Sequence, residues 1–314
     1  MTDFEWLVKQ LKIISNFGSN LKDIGPTIDY GNYTALKLIA IHYYSEVFSH
    51  VARSPNRAIQ GFDGAVYIDL FGGTGLVKLI DTGDYVAGSA TCALQNKYGF
   101  DYCVCVEIKK ERAEALEKRL SKIMNKKDFR VINGDCNNCI QDVINSIQDR
   151  FDNPIVLTVV DPEGMEIKFS TLKSLSDEFT SCDFMVNVTS SGISRVAGQI
   201  KSGLTTSTKT LAEYLNEDAR DILENLAKGI TPQGMYQNVV SNILGKQIGS
   251  TIPIHDKGNN IAYYILGYTR ATSGGSAYGK SLLTLKERLE GLDRTDVKKA
   301  LDQIYGRTST LDNF

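Results

Sequence analysis

Apolar and polar positions along this chain repeat with two periods, and the switches between them mark its elements. From Tyr33 to Val51 the apolar residues fall at Leu36, Ile39, Ala40, Tyr43, Tyr44, Val47, Phe48 and Val51, a three-four spacing that predicts a long helix with one buried stripe. Lys37, His42 and His50 lie on or beside that stripe. Upstream, Phe4, Leu7, Val8, Leu11 and Ile14 predict a shorter amphipathic helix, and Gly25-Pro26 and Gly31 punctuate the link between the two. Beyond residue 65, short apolar runs alternate with helical patterns. The runs are Val66 to Leu70, Tyr102 to Glu107, Phe129 to Ile132, Ile155 to Val160 and Phe184 to Val188. Between them lie Ala90 to Tyr98, a charged helix with Ala113, Leu116, Leu120 and Ile123 on one face, a helix with Ile140, Val143, Ile144 and Ile147, and one with Leu172, Leu175 and Phe179 that Ser170 can cap. Such alternation predicts an α/β fold, a doubly wound and mostly parallel sheet with helices on both faces.

The alternation is interrupted twice. Asp81-Thr82-Gly83-Asp84 and Gly88-Ser89 form an insertion that pushes the following helix downstream. Between Val188 and about Lys246 the strand pattern stops, and Thr210-Leu-Ala-Glu213 reads as a capping box opening a helix with Leu211, Tyr214, Leu215, Ile222, Leu223 and Leu226. Strand character returns in Gln247 to His255 and Ile261 to Thr269, joined by a turn short enough to make them antiparallel. These strands raise the predicted sheet to seven, one of them antiparallel. Helices at Leu282 to Leu289 and Val297 to Ile304 close the chain. Four regions follow: a helical extension (1–60), an α/β core (61–188), a helical insertion serving as a cap (189–246), and the end of the core sheet with two helices (247–314).

Composition narrows the setting. The 314 residues are 42% hydrophobic, enough for a large core, and 35 basic against 37 acidic residues leave no global positive field. Met1-Thr2-Asp3-Phe4-Glu5-Trp6 lacks a basic segment leading into an apolar one, and no apolar run reaches the roughly 18 residues of a membrane span, so a soluble, cytoplasmic protein without membrane contact is expected. Cys92, Cys103, Cys105, Cys136, Cys139 and Cys182 are expected to be free thiols of a reducing compartment.

The chemistry gathers around Val66-Tyr67-Ile68-Asp69-Leu70-Phe71-Gly72-Gly73-Thr74-Gly75-Leu76, where a buried-type strand breaks into a glycine-rich turn. Glycines there permit positive φ and close approach of backbone to a ligand. The spacing Asp69-x-Phe71-x-Gly73-x-Gly75 differs from the Gly-x-Gly-x-x-Gly of dinucleotide binders. It resembles the first motif of the class I S-adenosylmethionine (SAM) methyltransferases, which implies that Asp69 holds the cofactor's amino-acid end against the glycines. Ligands of doubly wound sheets bind outside the carboxyl ends of the strands, and here those ends carry Asp69, Glu107, Asp135 and Asp161. Glu107 suits a ribose diol, and Asp135 an adenine amino group. The expected cofactor residues are therefore Asp69, Phe71, Gly72, Gly73, Thr74, Gly75, Glu107, Asp135 and Cys136, and the expected catalytic residues Asp161 and Glu163.

Phe71 to Gly75 with Gly88-Ser89-Ala90, Val106-Glu107, Val159-Val160-Asp161-Pro162-x-Gly164 and Ala262-Tyr263-Tyr264-Ile265 together resemble the bacterial and archaeal three-Cys-motif partner proteins, from about Tyr33 to Leu289. The resemblance implies a class I methyltransferase fold and a protein partner that carries the cysteines of the family name. The family's fourth-strand motif is Asp-Pro-Phe-Gly, but this chain has Glu163 where the aromatic stands. It holds half of the (Asp/Asn)-Pro-Pro-(Tyr/Phe) tetrad of base amino-methyltransferases, and Asp161 is placed to orient an amine nucleophile. A cytosine-5 enzyme needs a cysteine after a proline, and no Pro-Cys pair occurs.

The expected function is SAM-dependent methyl transfer. Arg195, Lys201 and Lys209 give the insertion a positive face and favour a nucleic-acid acceptor. The alternatives are a methyltransferase-fold binding partner that transfers nothing, and an NTP-binding protein using Gly274 to Ser281, which fits Gly-x-x-x-x-Gly-Lys-Ser. Against the latter, only 33 residues follow Ser281, too few for the strands a P-loop protein places after that loop. Cys136-Asn-Asn-Cys139 has zinc-type spacing without two further ligands near it, so no metal is expected.

Overall fold

The computed structural model describes residues 1–189, 195, 206–245, 247–258, 260–269 and 277–307. In chain order its elements are α1 (Asp3–Ser19), β1 (Ile28–Tyr30), α2 (Thr34–Ala52), α3 (Pro55–Ile59), β2 (Gly64–Asp69), β3 (Leu76–Leu79), β4 (Tyr85–Ala87), α4 (Ser89–Leu94), β5 (Tyr102–Glu107), α5 (Lys110–Ile123), β6 (Phe129–Asn133), α6 (Cys136–Gln148), β7 (Pro154–Val160), α7 (Phe169–Glu178) and β8 (Ser181–Val188). They continue with α8 (Thr206–Leu215), α9 (Ala219–Ala227), α10 (Pro232–Ile243), β9 (Gln247–Lys257), β10 (Asn260–Thr269), α11 (Ala277–Leu289) and α12 (Arg294–Ile304).

The central sheet has seven strands in the order β6-β5-β2-β7-β8-β10-β9. All run parallel except β10, which is antiparallel to both neighbours. The order reverses between β2 and β7, so the crevice for a ligand opens at the carboxyl ends of these two strands. This is the fold class expected from the alternation, including the single antiparallel strand.

Successive strand residues point to opposite faces, and each face has its own core. Ala65, Tyr67, Cys103, Cys105, Leu157 and Met185 pack on one side with α1, α2, α11 and α12. Val66, Ile68, Val104, Val156, Phe184 and Val186 pack on the other with α6, α7 and the helices α8 to α10. Because both faces are covered, these strands read as continuous apolar runs.

Three local expectations are corrected. α2 is buried around most of its circumference, not along one stripe, because it lies between the sheet, α1, α4 and α11; Ala35, Leu38 and Ile41 are as buried as Leu36 and Ile39. Thr210 sits inside α8 instead of capping it, and Glu213 faces Lys168 at 3.3 Å and Lys209 at 3.8 Å. Ser170 is the second residue of α7, whose N-cap is Lys168.

The insertion after the glycine turn is the hairpin β3–β4. Its first strand, β3, pairs in parallel with β1 on its other side, making a three-stranded sheet β1-β3-β4 beside the main one. The hairpin returns to where it left: the Gly88 N–H donates to Gly75 O at 3.0 Å, so α4 starts against the glycine turn.

Candidate functional site

Two adjoining cavities open at the carboxyl ends of β2, β5, β6 and β7. The first, of about 290 Å³, is floored by residues 70–76 of the glycine turn and walled by Ile28, Leu38, Val77, Val106 and Ile108. Phe71, Gly72, Gly73, Thr74, Gly75, Glu107, Asp135, Cys136, Asp161 and Glu163 all line it. Ten of the eleven candidate residues from the sequence thus meet in one place.

Gly73 and Gly75 adopt φ of +59° and +74°, the left-handed region that favours glycine. A Cβ on Gly75 would come within 2.8 Å of Leu116 and 3.0 Å of Thr91. Behind the turn, the fully buried Arg119 donates to four carbonyls: Thr74 O at 2.6 Å, Pro26 O at 2.9 Å, Gly25 O at 3.2 Å and Leu21 O at 3.4 Å. One side chain therefore ties the turn to the segment that leads into β1.

Glu107 ends β5 with one oxygen accepting from the Gly73 N–H (3.0 Å) and the other from the Lys109 N–H (2.8 Å). Each carboxylate oxygen has a second lone pair left for a ligand hydroxyl. Asp135 is the N-cap of α6, its Oδ1 accepting from the Asn137 N–H at 2.9 Å. Cys136 contributes a neutral wall, its thiol pushed up to about 12 by burial and by Asp135. Cys103 and Cys105 belong to the opposite face of the sheet from Cys136 and Cys139, so the four do not converge.

Asp69 is the exception. It is fully buried and does not line the cavity: Oδ1 accepts from the Phe71 N–H at 3.1 Å and Oδ2 from the Tyr67 hydroxyl at 3.2 Å. Burial raises its carboxyl from 3.8 to about 6, against the opposing hydrogen bonds from Ser89 and Phe71. The geometry gives Asp69 the work of holding the turn, not of facing a cofactor.

The second cavity, of about 550 Å³, adjoins the first and shares Tyr30, Thr34, Lys37, Asp161 and Glu163 with it. Its other residues include Tyr33, Asn187, Thr189, Asp256 and Tyr263. At the junction Lys37 from α2 forms an ion pair with Asp161, Nζ lying 2.6 Å from Oδ2 and 2.8 Å from Oδ1, and Asn187 Nδ2 donates to the same Oδ1 at 2.9 Å. The Lys37 ammonium also lies 5.2 Å from the Tyr263 ring centre and 5.9 Å from that of Tyr30. Glu163 accepts from the Tyr30 hydroxyl at 3.0 Å and faces Arg112 at 3.8 Å. Burial, then Glu163, raises the Tyr30 hydroxyl above its ordinary value, so it stays a proton donor.

Sequence reasoning missed Tyr30, Tyr33, Lys37, Asn187 and Tyr263 as site residues. The signal for Lys37 was present: a lone charge within Ala35 to Ile41 on a buried helix needs a buried partner. The aromatic side chains absent at position 163 are supplied from β1, the start of α2 and β10. Thr34 and Lys37 of α2 and Thr189 at the start of the insertion line the second cavity, but none of the described side chains of 206–245 lines either cavity, and α8 and α10 pack against α7 and β9 instead. Arg195 and Lys209 are exposed and line neither cavity, and Lys201 lies outside the described residues.

The Walker-like match falls elsewhere. Residues 274–276 lie outside the described residues, and Ala277 to Ser281 are the first turn of α11, with the Ser281 hydroxyl bound to Tyr278 O at 2.7 Å. Because β10 is antiparallel, the chain leaves it at the end of the sheet opposite both cavities.

No family model matches the chain, and no curated protein matches it. Solved structures resemble it at low identity. A protein from Legionella pneumophila is 13% identical, with 80% of this chain and 92% of that one covered and a TM-score of 0.44. The O-methyltransferase TomG of Streptomyces achromogenes, solved in complex with SAM, is 10% identical, with 72% and 79% covered and a TM-score of 0.40. Among the described residues no helix is long and apolar enough to cross a membrane.

Proposed function

We propose that the protein is a SAM-dependent methyltransferase, with the cofactor in the first cavity and the methyl acceptor in the second. The observation that carries this reading is the junction: Asp161 and Lys37 line both cavities, so a group leaving the first passes directly into the second. The first cavity fits the cofactor by its donor set. Glu107 would hold the ribose hydroxyls and Asp135 the adenine amino group, with Val106, Ile108 and Cys136 against the flat ring. The left-handed Gly73 and Gly75 let the turn lie close to its amino-acid end, while Asp69 keeps that turn in shape from behind. When bound, SAM supplies an electrophilic methyl group on a sulfonium sulfur.

The chain's own residues do the rest. Lys37 and Asn187 fix the Asp161 carboxylate at the junction, and Glu163, held by the Tyr30 hydroxyl, borders both cavities. The resemblance to three-Cys-motif partner proteins adds a protein partner to this proposal. Methyl-labelled SAM offered with cell extract should pass label to an acceptor with the wild type and not with Asp161→Asn, while the two bind SAM equally. Equal labelling by both would remove Asp161 from the reaction. Tight SAM binding without any labelling would favour the reading as a binding protein.

A further inference from the structure

Between α1 and α2 the ten residues Lys22 to Gly31 are each exposed or half-buried, while Leu21 and Asn32 beside them are buried. The segment is therefore a thin strap that adds little to either core, yet it is tied down along its length. At its root the buried Arg119 gathers the Leu21, Gly25 and Pro26 carbonyls together with that of Thr74 in the glycine turn. A buried guanidinium bonded to carbonyls is costly to desolvate, and what it accomplishes here is to join strap and turn. In the middle β1 pairs with β3, Ile28 against Val77 and Tyr30 against Leu79. At the tip the Tyr30 hydroxyl donates to Glu163 Oε1 at 3.0 Å, and Arg112 of α5 faces the same oxygen at 3.8 Å.

The inner side of the strap faces the first cavity. Ile28 and Tyr30 line it, and a Cβ built on Gly73 would stand 3.2 Å from Ile28 Cδ1, so Ile28 lies over the glycine turn. Tyr30 stands at the junction, lining both cavities, and its bond to Glu163 joins the strap to the loop after β7. The Glu163 side chain is 68% exposed, which puts this bond on the outer rim. Glu107 and Asp135 end β5 and β6 on one side of β2, whereas Glu163 follows β7 on the other. The strap thus covers the stretch from the glycine turn to the junction, away from the two acids that suit a nucleoside.

From this we infer that residues 22–31 clasp the amino-acid arm of the cofactor: Ile28 and Tyr30 close over it, Glu163 latches the tip and Arg119 sets the root. The inference rests on the SAM reading of the first cavity and adds the element that retains the ligand there. Arg119 lines neither cavity and acts through the strap, so it is a positioning residue. Because no residue from Lys22 to Gly31 is buried, few contacts oppose opening of the strap, and the ligand's arm supplies those that keep it shut. The arm is what SAM has and its nucleoside part lacks. The strap therefore contributes to holding the whole cofactor and not to holding the nucleoside alone.

Calorimetry on the full chain with two ligands tests this: S-adenosylhomocysteine, which carries the arm, and methylthioadenosine, the nucleoside thioether without it. Ile28→Ala, and Tyr30→Phe, which keeps the ring, should each bind S-adenosylhomocysteine about fivefold more weakly and leave methylthioadenosine within about twofold. Arg119→Lys, which keeps the charge but loses the fork that reaches several carbonyls, should show the same split. By hydrogen exchange, the amides of residues 24–31 should be slowed more by S-adenosylhomocysteine than by methylthioadenosine. Equal weakening of both ligands in Ile28→Ala and Tyr30→Phe, or of neither, would overturn the clasp and leave the cofactor reading standing. Failure of the wild type to bind S-adenosylhomocysteine would overturn the cofactor reading and the clasp with it.

Discussion

The two cavities are adjoining but built from different materials. The first is floored by backbone: glycines at positive φ, carbonyls gathered by Arg119, and N–H groups held by Glu107. The second is built largely from side chains on β1, α2, β8 and β10, positioned by ion pairs, the Lys37–Asp161 pair among them, and by ring contacts. A backbone wall cannot be edited without disturbing the packing behind it, whereas a side-chain wall can be changed one group at a time.

Gly75→Val should break this contrast most severely. Any Cβ there meets Leu116 and Thr91 at a φ of +74°, so a loss of about 4 kcal/mol or more is expected, read as a fall in thermal midpoint with loss of SAM binding. A stable variant that still binds SAM would mean the first wall is as adjustable as the second.

Lys37→Met tests the junction. It leaves Asp161 partly buried without its cation, at a cost of about 3 kcal/mol by denaturant titration. Adding Asp161→Asn should recover much of that loss, because the uncompensated charge is removed. Additive losses in the double variant would show that the pair is not coupled.

Asp69 should sharpen the contrast through pH. Burial raises its folded carboxyl to about 6 against the ordinary 3.8, so protonation favours the folded state. The stabilising contribution is complete below pH 4 and is lost as pH rises through 6, about 3 kcal/mol at most. Asp69→Asn has no such loss. Its midpoint should gain on wild type between pH 4 and 6, and a constant difference across that range would show that Asp69 is not the group responsible. At the small end, Lys209→Ala and Lys280→Ala alter exposed side chains away from both cavities and should shift stability by less than about 0.5 kcal/mol.

The same contrast explains what could be read in the sequence. The first cavity comes largely from two stretches, Asp69 to Leu76 and Val106 to Lys109, and strand ends announce themselves by a buried run meeting glycine or an acid. The seven strands and the antiparallel β10 were legible for the same reason: period and turn length are local. The second cavity joins Tyr30, Lys37, Asn187 and Tyr263, residues far apart in the chain whose meeting depends on how α2 and the terminal hairpin dock. Asp69 misled because an acid before a glycine turn looks alike whether it faces a ligand or the turn itself. Thr210-x-x-Glu213 misled because a capping box is only a spacing, and α8 had already begun at Thr206.

The central claim is that the first cavity holds SAM, and titration calorimetry of the purified protein measures that directly. Wild type should bind, and Glu107→Ala should bind about tenfold to a hundredfold more weakly, a loss of about 1.5 to 3 kcal/mol, because the ribose acceptor goes and the Gly73 N–H loses its partner. Tyr263→Leu, on the far side of the junction, should bind as wild type does. No binding by wild type, or equal binding by Glu107→Ala, would contradict the assignment.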